Sequence, residues 1–200
     1  RAGVALEINI SSFSIIGNFS FEGEGWGICF NGEHLIMSNG TSELSFRDPE
    51  SFEIEFIVTV TWDGEPVSNL NELECVDDIV YANVWMEDVI LGIDPTSGQV
   101  EFYVSPISIT KTQGNSTEEV LNGIAFDQSS GGFWITGKNW TEIYLVNFSD
   151  SGENLVEKPS SQFSPLFAAS GVTIVFIFLT VQLFRKKDDP ETPNFKDSPL

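Results

Sequence analysis

The sequence predicts an all-β chain organised as a β-propeller and followed by a single membrane-crossing helix. Three observations carry this reading. A unit of four short apolar segments recurs at a spacing of ~40–50 residues, the length of a propeller blade. The composition of 17 Phe, 17 Gly and 9 Pro in 200 residues favours short strands and turns over long helices. One uncharged apolar run, residues 166–184, stands apart from everything before it.

The repeat is read first. Three segments align, beginning at Gly25, Leu70 and Leu121. Each gives an apolar strand, a turn, a second strand, a loop, a third strand, an Asp-Pro or Asn turn and a fourth strand. Asp48-Pro49 recurs as Asp94-Pro95, and Gly98 sits where a hairpin turn belongs. Before Gly25, residues 4–10 and 13–19 read as the outer strands of a preceding blade. A two-sheet sandwich is the alternative architecture, but it predicts no repeat. Three units and a partial one fall short of the usual 4–8 blades, so an N-terminally incomplete propeller is expected over residues 1–149. The chain begins at Arg1 with no apolar leader, which agrees with that expectation.

The C-terminal part divides into a polar stalk (150–164), a spanning helix (165–184) and a tail (185–200). A helix of the uncharged length crosses the ~30 Å hydrocarbon core at ~1.5 Å per residue. Pro165 suits a helix start, and Arg185-Lys186-Lys187 follows the run directly. Basic residues stay on the cytoplasmic side, so the tail is expected inside and residues 1–164 outside. A buried core helix is the alternative, disfavoured because no polar face exists. A charged tail also argues against a lipid-anchor signal.

The net charge of −21 comes from 9 Lys+Arg against 30 Asp+Glu, and the whole imbalance falls in residues 1–164. Such a surface repels phosphate, so nucleic acid is excluded as a partner. Two Cys and one His leave little for a metal cluster, and no cofactor is expected. Cys29 and Cys75 either form one disulfide or stay as two buried thiols; spacing does not decide. Sequons begin at Asn9, Asn18, Asn39, Asn115, Asn139 and Asn147, and mark a candidate glycoprotein. His34, after Asn31-Gly32-Glu33, is expected in an exposed loop. Glu72 and Glu74 alternate along one strand; one is expected to face solvent or the channel, and a plain solvated role is favoured over catalysis.

Within the aligned repeats, unlike residues fall at equivalent places. Trp26, Asn71 and Asn122 share one position, and Asn39, Trp85 and Lys138 share another. A scaffold role explains recurrence of one residue type better than chemical difference, so these positions are candidates for a common site. Each has a plain alternative: Trp85 and Trp140 packing between blades, Asn71 capping a turn, Lys138 solvated at the surface.

The short stretches Gly25-Trp26-Gly27, Leu35-Ile36-Met37-Ser38-Asn39-Gly40-Thr41-Ser42, Leu70-Asn71-Glu72-Leu73-Glu74, Tyr81-Ala82-Asn83-Val84-Trp85, Leu121-Asn122-Gly123-Ile124-Ala125 and Thr136-Gly137-Lys138 are weak singly. In this order and spacing they resemble the plant and bacterial type of glutaminyl-peptide cyclotransferase. The resemblance covers roughly residues 4–148, the C-terminal three-fifths of the family domain. It implies a five-bladed propeller with an active site at the channel mouth. It implies an acyltransferase-class enzyme without catalytic metal that converts N-terminal glutamine of peptides to pyroglutamate and releases ammonia. Trp26 and Trp85 would be aromatic walls, with Asn122 and Trp140 also on the substrate side. Asn71 would hold the substrate, and Lys138 would be the polar group at the reacting end. The family's proton-shuttle Glu belongs to an upstream Phe-Gly-Glu-Gly motif, and Phe21-Glu22-Gly23-Glu24-Gly25 matches a different point, so that role is not carried onto Glu24. After Thr-Gly-Lys only Trp140 of the usual Leu-Trp-Pro is kept. The alternative function is a catalytically silent extracellular propeller used for binding or adhesion.

Overall fold

A computed structural model describes residues 2–113 and 119–148; the expected stalk, spanning helix and tail lie outside the described residues. Among the described residues no helix is long and apolar enough to cross a membrane.

The chain forms antiparallel sheets, one after another. A leading hairpin pairs β1 (Ala2–Ile8) with β2 (Ile15–Glu22). The first full sheet is the meander β3 (Gly27–Phe30), β4 (Leu35–Ser38), β5 (Glu43–Arg47) and β6 (Ile54–Thr59). A small hairpin, β7 (Thr61–Trp62) with β8 (Glu65–Pro66), leads to the second sheet. That sheet is β9 (Leu70–Val76), β10 (Ile79–Val84), β11 (Ile90–Ile93) and β12 (Val100–Val104). The third is β13 (Leu121–Asp127), β14 (Gly132–Gly137) and β15 (Tyr144–Val146); its expected fourth strand, after Asn147, lies outside the described residues. The expected repeat is thus present as three successive meanders.

The turns follow from residue chemistry. Asp48 Oδ1 accepts the backbone N–H groups of Glu50 and Ser51, and Asp94 Oδ1 accepts that of Thr96. Such side-chain mimicry of a backbone turn is what Asp offers. The Ser51 bonds at Asp48, and at Asp94 the Ser97 hydroxyl donating to Oδ2 followed by the Thr96 N–H, hold both carboxyl groups below the usual carboxylate range.

The sheets stack through their inner strands: β9 packs between β3 and β13. Both faces of β9 are therefore covered, and two cores result. One joins Cys29, Ile36, Leu44 and Phe46 of the first sheet to Leu70, Leu73, Val80 and Ala82 of the second. The other gathers Ile90, Leu121, Ile124, Phe133 and Ile135 between the second and third sheets. Cys29 on β3 and Cys75 on β9 are disulfide-bonded, with Cα atoms 5.4 Å apart, so the open question of the thiols resolves to a staple between inner strands. The leading hairpin docks through Phe19 and Phe21 onto Phe52, where the buried Arg47 guanidinium lies 4.8 Å from the Phe52 ring centre.

Three expectations are corrected. His34 is not an exposed loop residue: its side chain is 12% exposed, its Nε2 lies 2.7 Å from Glu55 Oε2, and its ring meets Phe46 and Phe56 edge-on. The imidazole packs edge-on against Phe46 of β5 and Phe56 of β6, whose rings stack on each other. Glu72 is 6% exposed and Glu74 is partly buried, so neither is simply solvated. The alternation rule assumes one wet face, and β9 has none. Finally, α1 (Ile107–Gln113) occupies the connection between the second and third sheets, where no helix is expected.

Candidate functional site at the inner strand ends

Two of the inner strands carry a bulge at a candidate residue. In β9, Leu73 pairs with Ala82 but Leu70 pairs with Val84, which leaves one extra residue in the Asn71-Glu72 segment. In β13, Ile124 pairs with Ile135 and Leu121 with Gly137, an identical insertion at Asn122-Gly123. β3 has no bulge and runs evenly from Gly27 opposite Ser38 to Phe30 opposite Leu35. Asn71 and Asn122 are therefore equivalent, as the repeat predicts. Trp26 directly precedes β3, and its backbone N–H donates to Ser38 O. Asn71 and Asn122 are 6% and 5% exposed.

Trp85 and Lys138 are equivalent in the structure. The Trp85 N–H donates to Asn69 O just before β9, and the Lys138 N–H donates to Val120 O just before β13. Asn39, the third of this set, spends its side chain in its own turn, accepting from the Thr41 N–H and hydroxyl.

Three of the candidate side chains meet. The rings of Trp26 and Trp85 lie edge-to-face with centres 5.5 Å apart. Lys138 Nζ stands 5.7 Å from the centre of the Trp85 ring. Each residue comes from a different sheet, and all three are half-buried. Burial draws the Lys138 ammonium below the ordinary lysine pKa, since the charged form loses solvent. Gly40 admits the Trp26 ring: a Cβ there would lie 2.7 Å from Trp26 Cη2. The Trp26 indole N–H donates to Glu24 Oε2 at 3.3 Å, which places that carboxylate at the edge of the group.

Trp140 is not brought to this group by any contact. It packs over Gly137, meets Tyr144 edge-on and donates its indole N–H to Glu119 O at 3.2 Å. Its contacts are those of a residue filling the third sheet.

Four polar residues lie near the bulges; sequence reasoning assigns no role to Ser38 or Asn83 and favours a plain solvated role for Glu72 and Glu74. Ser38 and Asn83 are fully buried; the Ser38 hydroxyl donates to Asn71 O at 2.6 Å, and Asn83 Oδ1 accepts the Gly123 N–H at 3.0 Å. Glu72 and Glu74 are the others. Desolvation, then the charge of Glu74, pushes the Glu72 carboxyl up to about 8. Desolvation raises Glu74 to about 7, with a backbone hydrogen bond from Phe126 opposing. A polar residue inside an apolar strand, as in Tyr81-Ala82-Asn83-Val84, is the signal that marks such positions. Two buried amide atoms, Asn83 Nδ2 and Asn122 Oδ1, have no protein partner. Among the described residues no three His, Cys, Asp or Glu side chains are grouped to hold a metal ion.

Successive antiparallel meanders, with two indoles and one lysine from three sheets brought together, define a repeat-built β-protein. Residues 1–148 match the glutamine cyclotransferase family, and the chain belongs to it. It is 33% identical over 131 residues to the glutaminyl-peptide cyclotransferase of Arabidopsis thaliana, covering 64% of this chain and 41% of that one. It is also similar to the crystal structure of Myxococcus xanthus glutaminyl cyclase, with a TM-score of 0.64 and 35% identity over 67% of this chain and 59% of that one. The chain thus spans less than two-thirds of the length of these relatives.

Proposed function

We propose that this chain supplies the Trp26, Trp85, Asn71 and Lys138 part of a five-bladed glutaminyl-peptide cyclotransferase. The observation that carries the reading is the convergence of Trp26, Trp85 and Lys138 from three sheets, within a chain whose family membership is shown.

The chemistry suits these groups. The neutral α-amine of an N-terminal glutamine attacks its own γ-carboxamide carbon. A C–N bond forms, the ring closes, and the γ-nitrogen leaves as ammonia with the proton the amine gives up. The reacting groups belong to one residue, so holding them in a near-attack shape supplies much of the acceleration. Indole walls enforce that shape. Lys138 and the Asn71 amide are suited to stabilise the oxyanion that develops on the γ-carbonyl oxygen. A carboxylate is needed to carry the proton from amine to leaving nitrogen, a gain of ~10²–10⁴-fold; the resemblance assigns it to the upstream Phe-Gly-Glu-Gly motif. The acidic surface attracts a cationic peptide N-terminus.

The test is product formation. The full-length gene product, given a Gln-initiated peptide, is expected to yield a peptide lighter by one ammonia and blocked to Edman degradation. An unmodified peptide sinks the reading, and a folded protein that binds such peptides without converting them favours the silent binding module instead.

We also propose that residues 165–184 anchor the protein with its sheets outside and its tail inside, supported by the uncharged run and the basic stop after it. Protease added to intact cells is expected to remove the sheets and spare a tag on the tail; loss of the tag overturns the orientation.

A further inference from the structure

We infer that Ser38 and Asn83 are positioning residues that set the site's geometry across the boundaries between sheets. The inference rests on the cyclotransferase reading for its kinetic consequence, and on geometry alone for its structural one.

The two residues repeat one device. Each lies near the end of the second strand of its sheet, Ser38 on β4 and Asn83 on β10. Each is fully buried. Each side chain reaches the backbone of the next sheet's inner-strand bulge: Ser38 Oγ–H to Asn71 O, and Asn83 Oδ1 from the Gly123 N–H. Chemically they are opposite, one donating and one accepting, yet both tie a second strand to the neighbouring bulge. Close approach helps the first tie: a Cβ on Gly27, paired with Ser38, would lie 2.2 Å from Asn71 O.

Each tie spans the boundary that a site contact spans. Ser38 joins the first sheet to the second, as does the edge-to-face contact of Trp26 with Trp85. Asn83 joins the second to the third, as does Lys138 over Trp85. Asn83 also stands two residues before Trp85, and Gly123 directly follows Asn122. Apolar contacts between sheets lack direction, and the Cys29–Cys75 disulfide that also ties the first sheet to the second lies toward the other end of β3 and β9. A directional hydrogen bond at each boundary supplies that direction next to the reacting groups.

Asn83→Leu keeps the volume and removes the acceptor, whereas Asn83→Asp keeps an oxygen in place. Ser38→Ala removes only a hydroxyl. The readout is the indole N–H resonance of Trp85 in the full-length protein carrying isotope-labelled tryptophan. Asn83→Leu is expected to move it toward its position in Lys138→Met. Ser38→Ala is expected to move it toward its position in Trp26→Phe, and Asn83→Asp to leave it near wild type. In the kinetic arm, Asn83→Leu lowers kcat/KM by ~10-fold or more, and combining it with Lys138→Met costs less than the product of the two. A Trp85 resonance that stays in place in folded Asn83→Leu and Ser38→Ala overturns the inference. If Asn83→Leu does not fold, Ser38→Ala alone decides. Boundary-specific shifts in a protein that releases no ammonia uphold the ties and refute the cyclotransferase reading instead.

Discussion

Glu72 and Glu74 stand two residues apart on a strand covered on both sides, and their carboxyl groups are pushed up to about 8 and about 7. The folded state therefore holds protons that the unfolded chain releases near the ordinary value of 4.5. Their stabilising contribution is fully present below that value and is lost as pH rises through the folded pKa values. Thermal unfolding at a series of pH values should show the midpoint falling between pH 4.5 and about 8. Glu72→Gln, neutral at every pH, should flatten that fall; an equally steep fall in the variant contradicts the assignment. The sequence shows these residues as an alternating pair but hides their burial, because nothing in Leu70-Asn71-Glu72-Leu73-Glu74 reveals a second sheet over the polar side. Lys138 is more legible, being a rare cation in a strongly acidic segment.

Strand β9 carries most of the consequences at the scale of elements. Leu73 and Leu70 face the first sheet and are fully buried. Leu73→Ala should cost about 2–5 kcal/mol, since the surrounding strands cannot collapse into the gap; denaturant unfolding measures this. The disulfide of Cys75 with Cys29 closes 46 residues of chain. Replacing both by Ala should lower stability by about 2–4 kcal/mol, chiefly by freeing the unfolded chain. Wild-type stability in the double variant would mean that the bond does not form. The strands themselves are readable from apolar segments and Asp-Pro turns. The bulges are not, because an inserted residue leaves the apolar spacing of Leu70 and Leu73 looking merely irregular.

Across the whole molecule the repeat is the most legible feature, since each sheet needs the next to bury its inner strand and periodicity is inherited by the sequence. Helix α1 is illegible for the opposite reason: it interrupts the period, is only 7 residues long, and has no acidic residue in its first turn. Contacts that cross sheet boundaries, such as Trp26 with Trp85 and Lys138 with Trp85, depend on stacking distance, which no local pattern encodes. Those contacts are also the centre of the functional account. Lys138→Ala in the full-length protein removes the cation while leaving both indoles and both buried ties. The decisive measurement is kcat/KM for ammonia release from a Gln-initiated peptide in this variant against wild type. A loss of ~10²-fold or more, in a variant whose unfolding midpoint is unchanged, is the predicted result; an unaltered kcat/KM would contradict the placement of the reacting carboxamide at the junction of the three sheets.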